Sequence, residues 1–422
     1  MSRKVDIKSL TNKDLEKISR DLEITREQSK YTNASPESFS LLEVQDNFCY
    51  LPFAYAENFP RPERSSFTER KIKFEGKLRE NQKEVRKEAV DKLNSQGSVI
   101  IAAHPGFGKT SMGIEIASRI KLKTLIVCHR VVIVNQWKDS IKKFCPTAKV
   151  QVLTSKSSMK DADFYIANAI IVPKHSRDFY KDIGFMILDE AHILMADKLS
   201  QCARSVVPRY VLGLSATPYR NDGLGVLLDL YFGTHKIIRK LYRKHTVYRF
   251  NTGFKPEVKM NKMGKVDWNS VLESQCSNVE RNEDIIKIIQ YFPDRTFLVL
   301  CKRVDQANYL VKRLKEENED VTSLIGSNQK YEQSSRVLVG TVSKTGVGFD
   351  HPDLNALILA SDVEQYFIQY LGRVFRREDS EPVIFDLLDN YGLLFKHFKT
   401  RNAVYVEHGG TVKDFHKEFP DF

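Results

Sequence analysis

The residues most able to do chemistry begin with Ala103-His104-Pro105-Gly106-Phe107-Gly108-Lys109-Thr110. Gly106 and Gly108 lack a Cβ, so backbone N–H groups beside them can approach an anion closely. Lys109 can reach the β- and γ-phosphates of a nucleotide, and the Thr110 hydroxyl suits Mg2+. Pro105, Phe107 and Ser111 complete this candidate phosphate-binding loop, in which Ala103 stands where a glycine often does. Asp189 and Glu190 form a second site, directly after the apolar run 185–188. Two acids there are costly to bury unless they meet a cation or water. Asp189 is the candidate Mg2+ partner, and Glu190 the candidate base that activates an attacking water. A third site is Gln369 with Arg373 and Arg376. The arginines lie three apart, so a helix would present them on one face. A planar guanidinium stays charged and binds phosphate oxygens in pairs. An isolated Arg-x-x-Arg is usually a salt-bridged surface pair; beside the loop and the acids, phosphoryl chemistry is the stronger reading. ATP and Mg2+ are the expected cofactors.

These residues need rigid supports, and the hydrophobic pattern supplies them. Residues 99–103 are continuously apolar, as expected for a strand buried on both faces, and the phosphate loop follows. Similar runs recur at 124–128, 165–167, 185–188 and 210–214. A further set lies at 297–301, 337–340, 356–359 and 383–385, with amphipathic stretches such as Val304, Ala307, Val311 and Leu314 between strands. This alternation predicts an α/β fold with parallel sheets and crossover helices. Both acids then fall at the C-terminal end of a strand, the edge where open α/β sheets hold ligands. Leu78, Val85, Ala89 and Leu93 mark a helix that Gly97 stops. The expected division is an N-terminal accessory region (1–75), a nucleotide-binding domain (76–235), an interdomain connection (236–280) and a second α/β domain (281–422). Thr11 and Asp14 have capping-box spacing. The basic stretch 236–244 reads first as a solvated face and second as a nucleic-acid contact.

The bulk numbers are compatible. The 422 residues carry 66 Lys and Arg against 54 Asp and Glu, a net charge of +12. A positive excess favours a polyanionic partner. The six cysteines show no CxxC spacing, so neither a zinc ribbon nor a dithiol redox site is indicated. No apolar run is long enough for a signal peptide or membrane span. The chain reads as soluble and intracellular, without a membrane partner.

Together the motifs resemble superfamily 2 helicases of the DExH type, through Asp189-Glu190-Ala191-His192 and the phosphate loop. The resemblance covers about residues 76–390. It implies two tandem RecA-like parallel-sheet domains and an ATP hydrolase that moves along nucleic acid. It also implies that Arg79 and Gln82, in Leu78-Arg79-Glu80-Asn81-Gln82, recognise adenine. Ser215, Ala216 and Thr217 would couple hydrolysis to movement. Gly346 would approach the nucleotide, and Asp350 would face the ribose or Arg373. Gln369, Arg373 and Arg376 would reach the γ-phosphate from the second domain. Family members grip one strand's backbone; the matching positions are His129, Arg130, Lys302, Arg303 and Thr341. Trp137 reads as a core aromatic rather than a base-stacking platform.

Residues 215–223 resemble the branch holding excision-repair and transcription-factor helicases. Tyr50-Leu51-Pro52-Phe53-Ala54 and the compact size are similar to helicases of large cytoplasmic DNA viruses, including the poxvirus transcript-release type. The resemblance implies a DNA-stimulated translocase, 3′ to 5′, in viral-type transcription, replication or repair. DNA, single-stranded or duplex, is the expected partner, with transcription or replication machinery beside it, in the host cytoplasm or the virion. An RNA helicase and a nucleotide-dependent nucleic-acid-binding scaffold with little turnover are the alternatives. A sequence reader using a major-groove helix has no matching motif here.

Overall fold

The computed structural model describes residues 1–25, 38–60, 66–195, 201–216, 224–326, 331–345, 351–363, 367–375, 377 and 379–422, with the backbone alone at 367–369. The chain divides into two units, Met1–Arg239 and Lys240–Phe422.

The first unit is built on seven strands. Their spatial order is Lys236–Arg239, Ser98–Ala103, Tyr210–Ser215, Phe185–Asp189, Thr124–Cys128, Phe164–Asn168 and Val150–Val152. Every pairing is parallel. The central strands are Val- and Ile-rich because helices cover both faces. The register sets Asp189 opposite Leu214 and Ser215 opposite Ala102, so the phosphate loop, the acids and Ser215 leave one edge of the sheet. The helix Glu80–Gln96 buries Val85, Ala89 and Leu93. It ends at Gly97, whose φ of +78° lets its N–H close on the Leu93 carbonyl.

Within the same unit, the described N-terminal residues pack onto this sheet and its helices. Ser2–Asp6 and Glu43–Gln45 flank Phe48–Pro52 in an antiparallel sheet. Val5, Leu51 and Phe53 share one apolar core with Leu188, Val211 and Phe232. Thr11 and Asp14 form the expected capping box before Asn12–Asp21.

The second unit repeats the plan. Its order is Val321–Leu324, Val337–Thr341, Phe297–Cys301, Ala356–Leu359, Val383–Leu388, His245–Asn251 and Gly410–Asp414, again all parallel. Two seven-stranded parallel sheets with crossover helices are the tandem RecA-like architecture.

The segment 236–280 corrects the expected boundaries. It is not a separate connection: Lys236–Arg239 closes the first sheet, and His245–Asn251 lies inside the second. The second unit therefore starts near Lys240 rather than Arg281. Nor is the basic run at 236–244 simply a solvated face: Ile237 and Leu241 are buried, Lys236 pairs with Asp229, and Arg243 donates to the carbonyls of Phe375 and Ser380, while Lys240 and Lys244 are exposed. All six cysteines are buried thiols. Among the described residues no helix is long and apolar enough to cross a membrane.

Candidate active site

The phosphate loop joins the strand Ser98–Ala103 to the helix Lys109–Ile120. Gly106 and Gly108 adopt φ of +81° and +87°, the left-handed region that glycine enters without steric cost. Gly108 is constrained a second way: a Cβ there would stand 2.3 Å from Gln82 Nε2. Lys109 Nζ donates to the Ala103 carbonyl at 2.8 Å, which folds the ammonium back over the loop. Ser111 Oγ bonds the Gly108 carbonyl at 2.9 Å. The free N–H groups of a helix start and its positive dipole end face the same place. The loop, Lys109 and Thr110 therefore fit a nucleoside triphosphate with its Mg2+.

Two side chains hold the loop from outside. Gln82 Nε2 donates to the Phe107 carbonyl at 2.6 Å, and its Oε1 accepts from the Arg79 backbone N–H at 2.8 Å. Arg79 Nη2 donates to the carbonyls of Gly106 and Phe107 at 3.1 and 2.7 Å. Arg79 and Gln82, expected at the adenine, thus also brace the loop that binds phosphate. Phe107 is buried and Pro105 half-buried.

Asp189 lies at the end of its strand, buried. Its Oδ2 accepts from Trp137 Nε1 at 2.7 Å and its Oδ1 from the Glu190 N–H at 3.1 Å. Burial, and secondarily the charge of Glu190, push its carboxyl up to about 6, against the pull of Trp137 and Lys109. A buried carboxylate with two fixed donors and a nearby ammonium suits a cation ligand. Trp137 is a core aromatic with a polar task, since it orients this acid.

Glu190 sits at φ +54°, ψ +53°, a left-handed conformation for a residue with a Cβ. Such strain costs of order 1–2 kcal/mol and collects at functional sites. It turns the side chain out of the strand line. Glu190 Oε2 is shielded from solvent and, among the described residues, makes no hydrogen bond. It lies 3.5 Å from His192 Nδ1, which in turn is 2.8 Å from Ser215 Oγ on the neighbouring strand. Ser215 thus joins the acid cluster; Ala216 follows it. Thr217, of the same expected coupling element, lies outside the described residues.

His129, expected on a nucleic-acid track, lies at the C-terminal sheet edge. It follows the strand Thr124–Cys128, whose register with Phe185–Leu188 brings it beside Glu190. Its Nδ1 is buried with no hydrogen bond among the described residues. Burial, then Arg130, lower its pKa to about 4, so the ring is neutral near pH 7. Arg130 next to it is exposed. The sequence carried this signal only as a polar residue after an apolar strand.

In the second unit, parallel register sets Cys301 opposite Thr341, so Lys302 and Arg303 emerge next to Thr341. Thr341 is buried, with Oγ1 3.4 Å from Ser343 Oγ, and offers little side-chain surface. The Lys302 N–H donates to Ser361 Oγ, and Arg303 Nη2 to Asn269 Oδ1 at 2.9 Å. Ser361 is held by Gln306, and below them Arg281 pairs with Asp389 in full burial. Sequence reading missed this polar network, because its members are scattered along the chain. Arg373 lies in the helix Phe367–Val374. Gln369 belongs to that helix, but its side chain lies outside the described residues, as do Gly346, Asp350 and Arg376.

Residues 75–220 match the family described as "Type III restriction enzyme, res subunit". The helicase-designated protein 161L of Invertebrate iridescent virus 6 is 43% identical over 412 residues, spanning 91% of this chain and 93% of the relative. This chain belongs to the superfamily 2 helicases. It is a helicase-family ATPase, and nucleic acid is its partner. Two more distant relatives differ in their designations. One, of Acanthamoeba polyphaga mimivirus, is designated an ATP-dependent RNA helicase (L396); it is 25% identical, over 81% of this chain and 70% of the relative. The other is "DNA 3'-5' translocase XPB2" of Sulfurisphaera tokodaii, 24% identical over 71% of this chain and 80% of the relative.

Proposed function

We propose that this helicase is a DNA-stimulated ATPase that translocates on DNA in the 3′ to 5′ direction, in the transcription, replication or repair of a large DNA virus. The observation that carries the catalytic part is the convergence of Lys109, Asp189 and Glu190 on one sheet edge, with Glu190 in a strained, outward-turned conformation. The similarity to the XPB2 translocase supports DNA and the direction; the viral relative supports the setting. Bound MgATP supplies a good leaving group and a metal that neutralises charge developing on the phosphoryl oxygens.

The chain's own residues divide the work. Backbone N–H groups around Gly106 and Gly108 hold phosphate oxygens, and Lys109 swings from the Ala103 carbonyl to the terminal phosphates. Thr110 and Asp189 are the proposed Mg2+ partners. Glu190 orients the attacking water and takes its proton, a role worth about 10²- to 10⁴-fold in rate. Arg79 and Gln82 fix the loop and recognise adenine. The roles of Gln369, Arg373 and Arg376 as phosphate contacts, and of Gly346 and Asp350 at the nucleotide, rest on the family pattern. Arg130, Lys302, Arg303 and Thr341 are proposed to grip the backbone, which gives affinity without sequence readout.

ATP turnover measured with single-stranded DNA, duplex DNA and RNA tests the reading. Stimulation by DNA that vanishes in Lys109→Ala supports it. Stimulation by RNA alone would move the protein to the RNA helicases, as the mimivirus designation suggests. Full turnover in Glu190→Gln would remove the assigned base.

A further inference from the structure

A small hairpin in the second unit has no part in the chemistry above. Lys259–Met260 pairs antiparallel with Val266–Asp267, Lys259 opposite Asp267 and Met260 opposite Val266. Its tip is internally fixed. The Asn261 N–H donates to the Lys265 carbonyl at 2.7 Å and the Gly264 N–H to the Asn261 carbonyl at 3.0 Å. Asn261 Oδ1 accepts from the Met263 and Lys265 N–H groups at 2.9 and 3.0 Å. Gly264 makes the reversal at φ +69°. On this tip Met260 is 65% exposed and Met263 77% exposed, among exposed Lys259, Lys262 and Lys265. Long thioethers held in water beside three amines are a poor choice for solubility alone.

The foot is rigid and well placed. The Lys259 N–H donates to Ser270 Oγ at 2.8 Å, and the Glu257 N–H to Ser274 Oγ at 2.9 Å, both on the helix Trp268–Ser277. Val258, Val266 and Trp268 pack against Val271, Leu388, Leu394 and Phe398. The same helix carries Asn269, which accepts from Arg303, one of the proposed backbone contacts. Arm and grip are therefore mounted on one piece of structure.

We propose that this hairpin is a DNA-binding element that meets the junction between duplex and single strand. Its lysines take backbone phosphates, and Met260 and Met263 lie against base faces. Base faces are open to a thioether only where stacking has ended, at the fork and on the strand leaving it, whereas phosphates are offered everywhere; the combination disfavours blunt duplex and places the hairpin where the duplex ends. The proposal rests on the DNA-translocase reading.

Peroxide oxidation of the methionines, read by peptide mass spectrometry on the full chain, tests it. Met1, Met112, Met186 and Met195 are buried and Met159 is half-buried, so the reagent reports mainly on the hairpin. A 3′-tailed DNA duplex is expected to slow oxidation of Met260 and Met263, and a blunt duplex to do so less. The double variant Met260→Ser, Met263→Ser is expected to weaken binding of the tailed duplex about fivefold, the scale of two lost sulfur–ring contacts. Its ATPase in the absence of DNA should stay unchanged. Lys262→Gln should lower the salt dependence of binding by about one unit of slope. Equal oxidation rates with and without saturating tailed duplex overturn the proposal, as does protection by blunt duplex equal to that by the tailed one. If no DNA stimulates the wild-type ATPase, the parent reading fails instead. A stimulated ATPase with unprotected methionines refutes the hairpin alone.

Discussion

Asp189→Asn should stabilise the first unit near neutral pH while abolishing ATP turnover. The carboxyl is buried, and its pKa rises from 3.8 to about 6, first because of burial and then because of Glu190. A rise of that size corresponds to about 3 kcal/mol of folding free energy. The sign follows from proton binding. Between about pH 4 and pH 6 the folded state holds more of this proton than the unfolded chain, so stability falls as pH rises through that window. Above about pH 6 the penalty is complete. Asparagine removes it but has one acceptor oxygen, whereas Asp189 accepts from both Trp137 Nε1 and the Glu190 N–H. One lost hydrogen bond costs about 1 kcal/mol. The variant should therefore be more stable than wild type by about 2 kcal/mol near pH 7.5, and that gain should be largely gone near pH 4, where the folded wild type is itself protonated. Urea unfolding followed by Trp137 fluorescence, in a Trp268→Phe background, isolates this unit, since the chain has two tryptophans. Taking differences at each pH cancels the other titrating groups. A variant that is less stable at both pH values would refute the reasoning.

Gly108→Ala should lose nucleotide affinity with little loss of overall fold. Its Cβ needs the space of Gln82 Nε2 at a φ of +87°, and ATP binding by isothermal titration reads the result. Arg281→Met should destabilise the second unit by about 3–5 kcal/mol, because it leaves Asp389 charged and buried; unfolding followed by Trp268 fluorescence checks this. His129 should remain neutral down to about pH 4, because burial and Arg130 disfavour its charged form. An NMR titration with a midpoint near the ordinary value of 6.5 would contradict the buried placement.

The central strands were legible because they are buried on both faces and therefore read as unbroken apolar runs, as at residues 99–103 and 185–188. The strands that sequence reading passed over lie at or near sheet edges or mix polar and apolar residues. His245–Asn251 mixes buried Val247 and Phe250 with Thr246, Tyr248 and Arg249 without a regular period, and Lys236–Arg239 looked like charge rather than structure. Missing both of them created a false connection at 236–280. The phosphate loop and the acids were legible because their residue types and spacing are dictated by a ligand. The support around them was not. Trp137 carries no sign that its ring nitrogen will find Asp189 across 52 positions. The Arg281–Asp389 pair spans 108 positions and could be any two charges.

The two adjacent acids show why one strand end can serve two purposes. Asp189 keeps strand geometry and stays in the core, where Trp137 and the next backbone N–H fix both of its oxygens. A carboxylate so held can neither turn nor travel, which suits a metal partner. Glu190 leaves the strand through a strained backbone, and its Oε2 keeps an acceptor position without a hydrogen bond among the described residues. That oxygen can accept a proton from water without giving up a hydrogen bond, whereas both oxygens of Asp189 already accept one. His192 stands between this acid and Ser215 on the adjacent strand. A shift of the chain after Ser215 would therefore move His192, and with it the charge environment of the base. Ser215→Ala should then uncouple the rate of hydrolysis from DNA while leaving nucleotide affinity intact. Equal loss of DNA-stimulated and unstimulated turnover would show instead that Ser215 only supports the fold of the acid loop.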